Sequence, residues 1–184
     1  MRKSVVIVLA DGFEEIEAVT PIDTLRRAGV EVIIAGVGKT EVKGSRGIKI
    51  IADITLEEYR DLPDAVILPG AIPGAENLHN SKAVADLIQR MRQGKKIIAA
   101  ICAAPGLVLA PLGVLEGKKA TGYPGYEKAF SPATAYVEKS IVRDGDLITS
   151  RGPGTALEFS LELVRALVDD AMAAKLASAM IFKS

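Results

Sequence analysis

The chain has 184 residues, with 23 Lys plus Arg against 23 Asp plus Glu, so it has the length of one domain and no charge surplus directing it to nucleic acid or to an acidic membrane surface. Its single cysteine excludes an intrachain disulfide, a four-thiolate metal site and a resolving thiol in the same subunit. A single domain over residues 1–184 and a reducing, cytoplasmic location are therefore expected, with no membrane association, because no run approaches the roughly 20 apolar residues of a span.

Ser4 to Ala10 reads as a buried first strand; it meets Asp11-Gly12-Phe13-Glu14-Glu15 without a cleavage region, so a strand explains it better than a signal peptide. Ile16, Val19, Ile22 and Leu25 then recur at helical spacing up to the stop Ala28-Gly29, and Pro21 is predicted to kink or loosen that helix. Val30 to Ala35 reads as the second strand, Lys43 to Ile51 as a hairpin or edge excursion, and Leu56 to Tyr59 as a single helical turn. Ala65 to Leu68 is a compact strand entering the turn Pro69-Gly70-Ala71-Ile72-Pro73-Gly74. Ser81 then caps a helix whose apolar residues are Val84, Leu87, Ile88 and Met91.

The apolar strand Lys96 to Ile101 stops at Cys102, where Ala103-Ala104-Pro105-Gly106 begins a helical run. Beyond Gly117 the chain is rich in Gly, Pro and Tyr to about Pro132. Ala135 to Val142 and Leu147 to Ser150 flank the Asp144-Gly145 turn as a hairpin, Thr155-Ala156-Leu157-Glu158 reads as a capping box opening a helix to Leu167, and Asp170 to Met180 forms the last helix. Strands alternating with helical segments predict βαβ units around a mostly parallel sheet with a peripheral hairpin. In such sheets the ligand crevice lies beyond the carboxyl ends of the strands, so Asp11 to Glu17, Gly70 to Gly74 and Cys102 to Gly106 are expected to converge.

Chemistry is expected at Cys102. A strand-to-helix turn aims a side chain and free backbone N–H groups at one point, which favours thiolate; the alternative is a small buried hydrophobe. Glu14 and Glu15 suit a helix N-terminus, whereas helical spacing turns Glu17 toward the crevice. Beside a thiolate its carboxyl would stay protonated and donate to sulfur. Gly70, Ala71 and the start of the Cys102 turn could offer oxyanion N–H donors, as any tight strand-to-helix turn could. His79, the only histidine, lies in Asn77-Leu78-His79-Asn80-Ser81, which reads as a polar loop just before a helix cap; it reads as a solvent-facing or capping residue, which leaves acyl transfer without its base. Gly152-Pro153-Gly154 reads as a rigid loop: it lacks the lysine of a phosphate loop, and no Gly-x-Gly-x-x-Gly follows the first strand, so no nucleotide cofactor is expected.

Five segments carry a resemblance over nearly the whole chain: Asp11-Gly12-Phe13-Glu14-Glu15-Ile16-Glu17, Asp23-Thr24-Leu25-Arg26-Arg27-Ala28-Gly29, Val66-Ile67-Leu68-Pro69-Gly70, Ala99-Ala100-Ile101-Cys102-Ala103 and Thr149-Ser150-Arg151-Gly152-Pro153-Gly154-Thr155. On these the chain resembles the ThiJ/PfpI superfamily, within it the branch of the parkinsonism-associated protein deglycase. The resemblance implies a flavodoxin-like three-layer α/β/α sandwich with Cys102 as nucleophile on a strained elbow, Glu17 as its protonated carboxyl partner and the N–H groups of Ala71 and Ala103 as oxyanion site. It further implies a homodimer, with Arg27 and Arg46 near interface and site, Asp23 as an ion-pair partner and Pro153 as a supporting residue. The activities it implies need no metal or cofactor: glutathione-independent glyoxalase action on small 2-oxoaldehydes and repair of glycated protein side chains. The alternative is a stress protein or holdase chaperone that senses oxidants through Cys102. Two departures stand out: Tyr123 takes the place of a histidine near the thiol, and Ala103 replaces the histidine that follows the cysteine in the protease branch, which argues against peptidase activity. Ala71 and Ala104 stand where glycine is frequent.

Overall fold

The computed structural model describes residues 2–183. In chain order the strands are β1 (Ser4–Leu9), β2 (Glu31–Gly36), β3 (Glu41–Lys43), β4 (Lys49–Ile51), β5 (Ile54–Thr55), β6 (Ala65–Leu68), β7 (Ile97–Ile101), β8 (Lys119–Ala120), β9 (Ala135–Tyr136), β10 (Ile141–Asp144) and β11 (Leu147–Ser150). The α-helices are α1 (Glu15–Arg27), α2 (Gly74–His79), α3 (Lys82–Gln93), α4 (Ala156–Leu167) and α5 (Asp170–Ala179). Seven strands form the central sheet in the order β10-β11-β7-β6-β1-β2-β5. All neighbours are parallel except the edge pair β10 and β11, the peripheral hairpin.

The inner strands are apolar on both sides because both sides are covered. Val5, Ile7 and Leu9 of β1 face one core with residues of α1, α4 and α5, and Val6 and Val8 face the other with α3. The period of two in a strand thus divides one apolar run between two cores, giving the three-layer flavodoxin-like sandwich. Ser81 accepts from the Val84 N–H, and the side chains buried on α3 are Val84, Leu87, Ile88 and Met91, as its spacing predicts.

Five details differ from the sequence reading. Helix α1 runs through Pro21 without a break, because the proline is buried in a helix held against α4. Asn77 to His79, read as loop, belongs to α2; its short run of residues carries no helical repeat long enough to recognise. After Cys102 the chain forms a single π turn, Pro105–Leu109, closed by the Ala110 N–H donating to Pro105 O at 2.9 Å. The stretch read as one strand from Ala135 to Val142 is split: β9 pairs with β8 in a separate two-stranded sheet, and only β10 joins the hairpin. Thr155 does not cap α4 with its side chain; its hydroxyl instead accepts from the Gly152 N–H at 3.1 Å and bonds Ser150 Oγ at 2.6 Å, which ties the loop to β11.

Candidate active site

Three turns at the carboxyl ends of β1, β6 and β7 meet as expected. β7 continues its ladder one residue past its end, with the Cys102 N–H donating to Ser150 O at 3.0 Å, and then reverses. The reversal puts Cys102 at φ 65°, left-handed backbone that costs a residue with a Cβ roughly 1–2 kcal/mol. Ala71, after β6, sits at φ 70°. Two residues with side chains in this region, facing each other across one site, mark stored strain, and both turns aim N–H groups at the sulfur.

Glycine at position 70 is a steric requirement. A Cβ there would lie 2.6 Å from Cys102 Cβ, 2.9 Å from the Ala103 nitrogen and 3.0 Å from Glu17 Oε2. This close approach lets the Gly70 N–H donate to Glu17 Oε2 at 2.8 Å, while Gly70 O accepts from the Glu14 N–H at 3.2 Å. Glu14 in turn caps α1, accepting from the Glu17 N–H at 2.8 Å. Glu17 is thereby fixed at both ends and fully buried. Its second oxygen, Oε1, is sealed from solvent without a hydrogen-bond partner of good geometry, and the polar group it confronts is the thiol.

The electrostatics revise one expectation. Burial pushes the Cys102 thiol up to about 12, the Glu17 charge pushes the same way, and the N–H groups of Ala71 and Ala103 only partly oppose them. Burial likewise lifts Glu17 to about 7, against the pull of Gly70 N–H and the thiol. A thiolate standing alone at neutrality is therefore not what this site holds, because desolvation outweighs the amide dipoles. The pair sheds its first proton near 7 and then shares one remaining proton between oxygen and sulfur. In that state either Glu17 is the base for a thiol or a protonated Glu17 donates to a thiolate; the two descriptions differ by one proton shift over a short path.

The other predicted residues lie at varying distances from this centre. Ala103 follows the sulfur and is buried, and Ala71 is partly exposed beside it. Tyr123 is bound to the elbow through its backbone, its N–H donating to Cys102 O at 2.8 Å; its ring is 46% exposed, lies against Gly152 and meets Tyr126 edge to face. No hydrogen bond of its hydroxyl reaches the thiol. Arg27 pairs with Asp23 at 2.8 Å on the outer surface of α1, and Arg46 is exposed on the turn of the β3–β4 hairpin; neither touches the sulfur within this chain. Pro153 lines an apolar groove with Ile16, Val19, Leu157 and Met180. His79 is exposed at the end of α2, away from the thiol's contacts.

Glu15 is the functional surprise. Read as a helix-terminus charge, it is buried and holds the hairpin turn, accepting from Arg46 N–H at 2.7 Å and Ser45 Oγ at 3.2 Å. The only hint in the sequence is three carboxylates in four residues, Glu14 to Glu17, more than one helix end needs. No group of histidine, cysteine and carboxylate side chains among the described residues is arranged to hold a metal.

Fold and site together define a class: a flavodoxin-like protein with a cysteine on a strained strand-to-helix elbow, paired with a buried glutamate from the first turn of the first helix. The chain belongs to the DJ-1/PfpI family, whose sequence pattern matches residues 3–166. It is 45% identical to Protein dj-1beta of Drosophila melanogaster over 170 residues, which is 91% of this chain and 90% of that protein. It is 40% identical to Protein DJ-1 homolog A of Arabidopsis thaliana over 184 residues, 98% of this chain but 47% of that longer relative, so it spans about half of it. With the Glutathione-independent glyoxalase DJR-1.2 of Caenorhabditis elegans it shares 33% identity over 168 residues, 90% of this chain and 89% of that one. The crystal structure of Drosophila melanogaster DJ-1beta matches the fold with a TM-score of 0.95 at 41% identity, covering 100% of both chains.

Proposed function

We propose that this protein is a cofactor-free, glutathione-independent glyoxalase that converts small 2-oxoaldehydes to 2-hydroxy acids, with Cys102 as nucleophile and Glu17 as proton carrier. The observation that carries the reading is the pairing of a thiol on a strained elbow with a buried carboxyl whose free oxygen has no other partner. The kinship with a relative named as a glutathione-independent glyoxalase supports the same chemistry.

With methylglyoxal the steps balance as follows. Glu17 takes the thiol proton as sulfur forms a bond to the aldehyde carbon; the aldehyde oxygen, steadied by the N–H groups of Ala71 and Ala103, receives that proton, giving a hemithioacetal. Glu17, again a carboxylate, removes the hydrogen on the former aldehyde carbon and returns it to the neighbouring carbon by way of an enediol, while the hemithioacetal's hydroxyl proton passes to the neighbouring ketone oxygen and a C=O re-forms beside sulfur. The product is a lactoyl thioester, which water cleaves to lactate and free thiol. Net, methylglyoxal and water become lactate, with no redox partner.

Aldehyde adducts on protein side chains are a wider substrate set for the same thiol. The reading also takes the chain as one domain working as a cytoplasmic homodimer. No helix among the described residues is long and apolar enough to cross a membrane, and the groove beside Pro153 offers an apolar face to a second copy.

Lactate release from methylglyoxal by the purified protein tests the proposal. We expect turnover without glutathione, and a loss of at least about 10³-fold in Cys102→Ser, the scale of removing a nucleophile. Turnover surviving in that variant overturns the assignment. A second reading rests on the same N–H groups and carboxyl, which suit an oxidised sulfur as well as an oxyanion. If no lactate forms while mild peroxide adds two oxygens stably to Cys102, the protein is an oxidant sensor or chaperone instead.

A further inference from the structure

A cleft of about 840 Å³ opens on the other face of the sheet, between the turn after β5 and the amino end of α3; Cys102 and Glu17 do not line it. Its volume falls in the range of roughly 300–1,000 Å³ typical of small-molecule pockets. Nothing in the reaction above uses it.

Three observations bear on its occupant. The first turn of the 12-residue helix α3 lines the cleft, and although Ser81 satisfies the Val84 N–H, the N–H groups of Lys82 and Ala83 have no acceptor among the described residues. Open N–H groups at the positive end of a helix dipole are an anion seat. Tyr59 supplies an independent second observation. It is 6% exposed, its ring packs in the apolar core, and it lines the cleft, yet its hydroxyl has no hydrogen-bond partner among the described residues and is not sealed off. With the rest of the side chain buried, this hydroxyl opens on the cleft as a donor that no protein group occupies. Burial also lifts Tyr59 to about 12, so the proton stays on. Third, among the described residues the guanidinium groups of Arg60 and Arg90 bind only backbone carbonyl oxygens, of Glu57 and of residues 60 and 61, with no carboxylate in ion-pair range. Lys82, by contrast, is already paired with Asp86 at 2.6 Å. The surplus charge around the cleft is positive, while its carboxylates can accept from ligand hydroxyls.

We propose that this cleft binds the phosphate monoester of a small hydroxylated molecule, with the phosphate on the N–H groups of Lys82 and Ala83 and the Tyr59 hydroxyl donating to a second ligand oxygen. The site is separate from the thiol chemistry and does not depend on it.

Amide NMR shifts of the intact protein, titrated with glucose 6-phosphate, glucose and inorganic phosphate in turn, test this. Glucose 6-phosphate is expected to move the Lys82 and Ala83 amides saturably, inorganic phosphate to move the same amides with weaker affinity, and glucose to move neither. Tyr59→Phe removes only the hydroxyl and should weaken the ester about 2- to 10-fold, the worth of one neutral hydrogen bond. Lys82→Pro probes the helix end. Proline is at home at a first helical position, and Ser81 at ψ 116° already has the extended backbone that a following proline demands. That variant should therefore fold, and it should lose more affinity than Lys82→Ala, because it removes an N–H as well as the ammonium. Circular dichroism and an unchanged unfolding midpoint report that all three variants are intact. Shifts confined to the Cys102 turn, equal affinity for ester and inorganic phosphate, no saturable shift, or undiminished binding by Tyr59→Phe would each overturn the proposal.

Discussion

Helices α1 and α3 flank the same sheet on opposite faces, yet they spend their buried surface differently. α3 buries Val84, Leu87, Ile88 and Met91, every one of them apolar, and turns its charges outward. α1 buries Glu15, Glu17 and Thr24 among its apolar residues while Ile16 and Val19 stand 53% and 47% exposed. One helix obeys hydrophobic patterning and the other inverts it at its amino end. An inversion of that kind costs stability, and a chain keeps it where the misplaced groups have another use. In α1 the buried carboxylates hold the thiol and the hairpin, and the exposed apolar residues line a groove.

The comparison breaks most sharply at Glu17. Replacing it with Gln keeps an acceptor for the Gly70 N–H but abolishes the proton carrier, so turnover on methylglyoxal should fall about 10²- to 10⁴-fold. Stability should move the other way. Glu17 has its proton affinity raised on folding, from 4.5 to about 7, so the folded state binds more protons between those values and wild-type stability declines as pH rises through that window. By pH 8 the deficit is roughly 3 kcal/mol, counted at about 1.4 kcal/mol per unit. Urea unfolding should therefore find Glu17→Gln more stable than wild type at pH 8 and no different at pH 4. Equal stability at both pH values would show that burial of this carboxyl costs nothing. Iodoacetamide labelling of Cys102 reads the same pair: the wild-type rate should rise through about 7, where Glu17 ionises, and in the variant this rise should move to higher pH, where a buried thiol must lose its proton unaided.

On α3 the expected pattern is the reverse. Leu87→Ala empties part of a packed core and should lose about 2–5 kcal/mol of stability, evenly across pH. Turnover of the molecules that remain folded should be unchanged. A change in kcat from this variant would mean that the α3 layer controls the elbow, and the division of labour between the two helices would fail.

This division also accounts for what was readable in advance. α3, β1, β6 and β7 follow from periodicity and capping, because packing is their whole task. Glu17 and Cys102 were legible because one stands at a helix start and the other at a strand end, positions that face the crevice in any parallel sheet of this kind. Glu15 was not, since its partners, the amides of the 45–48 turn, come from a hairpin whose docking no local pattern encodes. The upward push of burial on the Cys102 thiol is hidden for a related reason: the sequence displays the amides of the elbow but not the depth at which they bury the sulfur. The cleft at Tyr59 was hidden too, because β5 and the turn after it carry almost no periodic signal.

The smallest effect on the fold, and the one that separates the two helices most cleanly, belongs to Ile16 and Val19. Half-exposed side chains on a surface helix contribute little to the stability of one chain, so the double change Ile16→Thr, Val19→Thr should alter unfolding of the isolated chain by less than about 0.5 kcal/mol per site. The same residues line a groove of about 370 Å³ with Leu157 and Met180. If a second copy covers that face, each side chain is buried on association, and burying a Val or Ile is worth roughly 1.5–3 kcal/mol. Sedimentation equilibrium should then show a dimer for the wild type and a dissociation constant raised by at least about 10²-fold for the double variant, with circular dichroism unchanged. A wild type that sediments as a monomer would remove the second copy from the proposal and leave these two side chains as the one part of α1's inversion without a use.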